Sequence, residues 1–228
     1  MGKDLNHNDP AYIESMRLFL LGKWKEAEEA FLDLEKTYPT STFVKLILGN
    51  IHYSLGSLET SVDYYQKAVE LDPEFGNAYY KLGVCYYRMG KLLKALEAFN
   101  KVVDLKNQSH AMASYFIGLI NVFIGHDKPS LEGFEALRKV SPESKIANFY
   151  LAQLKIKQKN HTEAIELLEE LTEVTPNFAE VHYMLGTAKF GLGKNTEAIQ
   201  SFRKALELNP EDNRSRSKLT LLTDVQWP

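Results

Sequence analysis

Proline punctuates this chain at a fixed interval. Pro39, Pro73, Pro142, Pro176 and Pro210, with Asn107 standing in for a sixth, are separated by steps of 34, 34, 35, 34 and 34 residues. A second series keeps the same interval: Gly22, Gly56, Gly90, Gly125 and Gly193, with Lys159 in the fifth of six places. Two breakers per period of about 34 residues leave room for two helices of roughly 12 to 15 residues each. The pattern predicts a helical hairpin closed at the glycine and separated from the next hairpin at the proline.

Residue types recur between the breakers as well. Five places after each turn stands a small residue, Ala27, Ser61, Ala95, Ser130, Ala164 and Ala198. Four places further stands a bulky one, Phe31, Tyr65, Phe99, Phe134, Leu168 and Phe202. Seven places before the turn the small set is Ser15, Gly49, Gly83, Gly118, Ala152 and Gly186, mostly preceded by an aliphatic residue. A small residue on the first helix lets the second approach, and the bulky one fills the space beside it. This arrangement closely resembles the tetratricopeptide repeat.

The resemblance implies an all-α fold, a right-handed α-solenoid superhelix of stacked hairpins, with first helices lining its concave side. Six repeats are placed at 8–41, 42–75, 76–109, 111–144, 145–178 and 179–212, after an N-terminal tail over 1–7. Residues 213–228 are expected to form a capping helix and tail, with Leu219, Leu222 and Val225 on its apolar side and Trp227 beyond. Each hairpin leaves an apolar face that only stacking buries, so one array is expected rather than two globular domains. Glu14 occupies the usual aliphatic position in repeat 1, as suits an outer face meeting water. Asn107 and one extra residue near His110 make the junction of repeats 3 and 4 irregular.

Composition excludes several functions. A formal net charge of -3 and the absence of a basic cluster argue against nucleic acid. No segment is long and apolar enough to span a membrane, and MGKDLNHNDP lacks the form of a signal peptide, so a cytoplasmic protein is expected. Cys85 is the only cysteine and reads as a small buried hydrophobe. The histidines are scattered without metal-ligand spacing; His52 and His182 read as packing residues. No phosphate loop, nucleophile elbow or carboxylate pair suggests an enzyme or a cofactor, and Glu26, Glu28, Glu29, Glu166, Glu169 and Glu170 read as solvated outer faces.

Function is then expected on the first helices, where a stripe at i, i+3, i+4, i+7 faces the groove. The candidate partner-binding residues are Tyr80, Tyr87, Arg88, Met112, Tyr115, Phe116, Leu119, Phe123, Phe149, Tyr150, Gln153 and Tyr183. The segment Ala111–Gly125 has no charge and must be covered, by neighbouring repeats or by a partner. Of two modes of the resembled family, the asparagine ladder is absent, and of the carboxylate-clamp positions only Asn50 fits well. The expected activity is a non-enzymatic module that binds an amphipathic helix or apolar peptide. The alternatives are a self-associating scaffold and an accessory subunit of a bacterial envelope or secretion assembly.

Overall fold

A computed structural model describes residues 5–106 and 108–223. Among the described residues there are thirteen helices and no strand. They are α1 (Pro10–Leu20), α2 (Trp24–Thr37), α3 (Thr42–Ser54), α4 (Leu58–Leu71), α5 (Gly76–Arg88), α6 (Leu92–Asp104), α7 (His110–Ile124), α8 (Asp127–Val140), α9 (Lys145–Lys157), α10 (His161–Val174), α11 (Ala179–Gly191), α12 (Asn195–Leu208) and α13 (Asn213–Thr223). Contacts gather into two compact units, Met1–Ile120 and Asn121–Pro228, divided inside α7. In the first unit α1 packs on α2, α3 on α4 and α5 on α6; in the second α9 packs on α10, α11 on α12 and α12 on α13.

Each hairpin turn sits where the glycine series places it, because the chain there must enter the left-handed region. Gly22, Gly56, Gly90, Gly125 and Gly193 have φ between +70 and +81 degrees. Lys159 takes the same conformation at φ +62, a strained choice for a residue with a side chain. The turns close alike: Lys91 N–H donates to the Tyr86 carbonyl at 2.8 Å, Asn160 to Lys155 at 2.9 Å and Lys194 to Lys189 at 3.0 Å. These six-to-one bonds satisfy carbonyls that a helix end would otherwise orphan.

The proline series works through the residue before it, which a following proline pushes out of the helical region. Tyr38, Asp72, Ser141, Thr175 and Asn209 accordingly have φ from -126 to -138 degrees. After α6 there is no proline, and the chain ends the helix differently: Leu105 stays helical and Lys106 turns left-handed at φ +49. Asn107 itself lies outside the described residues.

Packing follows the small and bulky columns. Ala27, Ser61, Ala95, Ser130, Ala164 and Ala198 are fully buried, as are Phe31, Tyr65, Phe99, Phe134, Leu168 and Phe202. The first-helix glycines are required by contact: a Cβ on Gly83 would lie 2.6 Å from the Phe99 ring, one on Gly186 2.7 Å from Phe202, and one on Gly49 closer still to Tyr65. Cys85 is buried with Ser61 Oγ 3.5 Å away, and burial pushes its thiol up.

The outer face of α1 is built differently from its counterparts. One period apart, Glu14 corresponds to the buried Leu48 and Leu82, and Arg17 to the buried Ile51 and Cys85. On α1 the two are exposed and paired, Arg17 Nε 2.8 Å from Glu14 Oε2, and the guanidinium holds the Glu14 carboxyl below its ordinary value. A further hairpin could stack there only by stripping both charges of water. At the other end α13 follows the register of a first helix: Leu219 is fully buried against Ala198 and Phe202, with Leu222 beside them. Val225 and Trp227 lie outside the described residues.

Two outcomes test these readings. Lys159→Gly relieves the left-handed strain and should raise stability by about 1 kcal/mol in denaturant unfolding, whereas Gly56→Ala should lower it by a similar amount. The double substitution Glu14→Leu, Arg17→Ile should produce concentration-dependent association in light scattering beyond that of the unsubstituted chain; an unchanged mass would show that charge is not what closes this face.

Candidate functional site

In the first unit the aromatic candidates form one packed group. The Phe116 ring stacks on Phe99 of the preceding hairpin at 4.8 Å and 1 degree, with Tyr80 at 6.5 Å, Tyr87 at 5.2 Å and Tyr115 at 5.3 Å. Tyr80 also meets Phe99 at 6.0 Å. Arg88 is exposed, its guanidinium 4.7 Å above the Tyr53 ring. Asn50 lies nearby on α3, its Oδ1 accepting from Tyr65 Oη at 2.8 Å.

The uncharged helix α7 is divided between burial and exposure. Met112, Phe116, Leu119 and Phe123 share one stripe, yet Met112 is 48% and Phe123 64% exposed while Leu119 is only 8% exposed. Leu119 is thus a core residue and offers no surface, a correction to its place among the groove residues. Ala113, Ser114, Ile120 and Asn121 are likewise buried, so the bare part of this helix is smaller than its composition suggests.

In the second unit two hollows adjoin. One of about 330 Å³ is lined by Val122, Asp127, Gln153, Leu154, Ile156 and Lys157, and one of about 230 Å³ by Gln153, Ile156, Glu180, Tyr183, Met184, Thr187 and Arg214. They share Gln153 and Ile156 and so lie side by side, and together they are called the trough below. Gln153 is exposed and its carboxamide has no hydrogen bond within the described residues. Tyr150 does not reach this trough as a ligand group would: it stacks on Phe134 at 4.7 Å and 8 degrees, spending its ring on the framework. Phe149 packs on Tyr150 at 5.5 Å and on Phe178 at 5.7 Å, and Tyr183 meets Phe202 at 5.9 Å.

Arg214, from α13, closes one end of the trough and was not among the sequence candidates. Its guanidinium lies 4.2 Å over the Tyr183 ring, donates from Nη1 to Glu180 at 3.1 Å and from Nε to Asp212 at 3.0 Å. These carboxylates raise the Arg214 pKa above its usual value. Burial opposes the charge of Asp212, but hydrogen bonds from Ser215 and Arg214 outweigh it and hold the carboxyl below its ordinary range. The signal was present in the sequence: Glu180 and Arg214 are opposite charges one period of 34 residues apart.

Several glutamates expected to face only water tie helices together instead. In the first unit His52 stacks on Tyr64 at 5.3 Å with Glu28 Oε1 3.5 Å from its Nε2, and one period later Tyr86 Oη accepts from Gln66 at 2.9 Å. In the second unit the same column is Lys155, 2.7 Å from Glu163 and 4.0 Å from Glu135, and Lys189, 3.5 Å from Glu169 and 3.6 Å from Glu197. Each of these side chains reaches both its own hairpin and the one before. Glu170 accepts from Arg138 at 3.2 Å and from Asn148 at 2.9 Å. His182 Nε2 lies 2.8 Å from the Pro176 carbonyl oxygen. Glu26, Glu29 and Glu166 are exposed.

Paired helices meeting through a glycine and an aromatic ring, with a left-handed turn between them, define a helical repeat protein. Family models described as TPR repeat or tetratricopeptide repeat match residues 49–90, residues 76–108 and 179–212, and residues 131–187, together more than half of the chain. The chain belongs to the tetratricopeptide repeat superfamily. It is 30% identical over 101 residues to the TPR repeat-containing protein MJ1428 of Methanocaldococcus jannaschii, covering 44% of this chain and 18% of that one. Over 133 residues it is 26% identical to the BBSome complex member BBS4 of Xenopus tropicalis, covering 58% and 25%. The chain therefore spans a quarter or less of these relatives' lengths. Among solved structures YrrB, described as a TPR protein with an unusual peptide-binding site, superposes with a TM-score of 0.75 at 22% identity over 83% of this chain and 97% of that one. MamA does so with a TM-score of 0.66 at 24% identity over 82% and 97%. No helix among the described residues is long and apolar enough to cross a membrane.

If Arg214 holds α13 at the trough, Arg214→Ala should speed amide hydrogen exchange in α13 about five- to tenfold, for a loss of about 1 kcal/mol, while exchange in α9 and α10 stays unchanged. Equal exchange in α13 would place its anchorage in Leu219 and Leu222 alone.

Proposed function

We propose that this chain is a non-enzymatic interaction module of six repeats and a capping helix, which holds a partner segment against its first helices. The observation that carries the reading is the trough of the second unit. Its walls include the candidates Gln153 and Tyr183, its floor offers Ile156 and Met184, and Gln153 has both hydrogen-bonding ends free for a partner. The lining sets Val122, Leu154, Ile156 and Met184 among the polar groups of Asp127, Lys157, Glu180, Thr187 and Arg214, a mixture that a peptide site can use. An amphipathic or apolar segment fits this lining, its larger side chains entering the two hollows. The description of YrrB as having a peptide-binding site supports the same reading by analogy of fold.

A second reading, self-association, is favoured by the exposure of Phe123 and Met112 on a helix without charge. The relationship to a BBSome complex member supports a role within a larger assembly, as a scaffold or accessory subunit.

Selection of peptides from a displayed library against the intact chain tests the first reading. Peptides so enriched should lose about tenfold or more in affinity on Ile156→Glu and Gln153→Arg, and nothing on Glu166→Ala of α10. Enriched peptides indifferent to both trough substitutions would move the binding surface elsewhere.

A further inference from the structure

Charge is spread unevenly over the second helices of the hairpins. α10 carries five glutamates and neither lysine nor arginine, in a chain whose formal net charge is only -3. Glu163, Glu166, Glu170 and Glu173 recur at i, i+3, i+7 and i+10 and so share one stripe of this helix. Two of them are answered within the second unit: Lys155 lies 2.7 Å from Glu163, and Arg138 lies 3.2 Å from Glu170. Glu166 and Glu173 have no ion pair among the described residues.

Beside this stripe lies a hollow of about 660 Å³ between α8 and α10, larger than either part of the trough and sharing no lining residue with it. Pro142, Leu151 and Leu167 give it apolar surface, and Arg138 and Lys139 line it from α8. Three periods earlier the residues corresponding to Lys155 and Leu167 are His52 and Tyr64, whose rings stack at 5.3 Å and 8 degrees. Leu167 lacks the ring with which Tyr64 covers its neighbour, so the equivalent space is left open. Asn148 shares a stripe of α9 with Leu151 and Lys155 and is only 5% exposed. Its Nδ2 donates to the lining residue Glu170 at 2.9 Å, but its Oδ1 is buried with no hydrogen-bond partner among the described residues. A buried acceptor left open is uncommon, and a donor brought to Glu170 finds it at hand.

We propose that the interval between α8 and α10 is a second docking surface, distinct from the trough, and that it takes a basic amphipathic helix of a partner protein. Periodicity decides the form: carboxylates recurring at i, i+3, i+7 and i+10 match cations recurring at the same steps on a helix laid beside α10, whereas an extended segment, with its period of two, meets them out of step. Charge decides the class: Glu166 and Glu173 pair with lysine or arginine of the partner, and an arginine at Glu170 also reaches Asn148 Oδ1. An aromatic or aliphatic side chain on the adjoining face of the partner enters the hollow against Leu151 and Leu167, where its surface is withdrawn from water. Lys139 lines the opposite wall without an ion pair, repels a further cation there and so keeps the basic edge of the partner on the α10 side.

The test uses the full chain and three labelled, side-chain-stapled helical peptides of about fourteen residues, the length of α10. The first has arginine at i, i+3, i+7 and i+10 beside a stripe of leucine and phenylalanine; the second has glutamine in place of arginine; the third has the composition of the first with the arginines moved off the stripe. Fluorescence anisotropy should show the first binding at least about tenfold tighter than either other. The advantage should be lost on the double substitution Glu166→Lys, Glu173→Lys and on Leu167→Tyr, which supplies the ring that Tyr64 provides three periods earlier, and kept on Ile156→Glu in the trough. Circular dichroism checks each fold; Glu166 and Glu173 are exposed, so the double variant decides alone if Leu167→Tyr does not fold. Equal binding of the first and third peptides would reveal plain attraction of cations to an acidic helix and overturn a shaped site. Binding lost on Ile156→Glu but kept in the double variant would make the basic helix a ligand of the trough and overturn the second surface. Binding of none of the three would overturn it as well, and peptides selected against the trough would be unaffected.

Discussion

Everything in this structure depends on the absence of a side chain at a few first-helix positions. At Gly49, Gly83 and Gly186 a single methyl group would collide with the ring of Tyr65, Phe99 or Phe202, so the distance between paired helices is set by the glycine and the filling of that distance by the ring. In close-packed interiors such a contact leaves no slack. The stacked pairs Phe99 with Phe116 and Phe134 with Tyr150 then carry the same ring onward to a following hairpin. In these two repeats one aromatic residue thus bears on both its own hairpin and the next.

Polar contacts add direction to this apolar frame. The column of His52 and Tyr86 in the first unit, and of Lys155 and Lys189 in the second, meets groups from two successive hairpins. Lys155 and Lys189 are mostly buried along their stems while their ammonium groups reach glutamates at the surface. Such pairs contribute modestly to stability because their carboxylates are half in water. They consume the positive charge of Lys155 and Lys189 on the second unit's first helices.

Ends are managed by charge and by a half repeat. Exposed Glu14 and Arg17 occupy columns that are apolar and buried in α3 and α5, and pairing them on α1 costs little because water remains. At α13 the aliphatic column is kept in Leu219, so the last described helix closes the core of α12 and lends Arg214 to the trough.

The sequence by itself determined the repeat, the turn positions and the core. Gly22 and its series could be read because left-handed φ is cheap for glycine, the prolines because they restrict the residue before them, and Phe31 through Phe202 because size alternates at fixed spacing. Even Lys159 was legible, since its place in the series demanded a turn that its residue type does not favour. The candidate site was only partly legible. Helical periodicity tells which residues share a stripe, and Gln153, Met112 and Phe123 of that stripe are exposed; it cannot tell how deeply a neighbouring helix covers it. Tertiary packing decided that Leu119 is core, that Phe116 and Tyr150 serve the framework, and that Glu28, Glu169 and Glu170 tie hairpins together. It also brought Arg214 onto Tyr183 and Glu180, one period away, because burial and ion pairing are properties of what surrounds a residue in space, and a sequence records only what surrounds it along the chain.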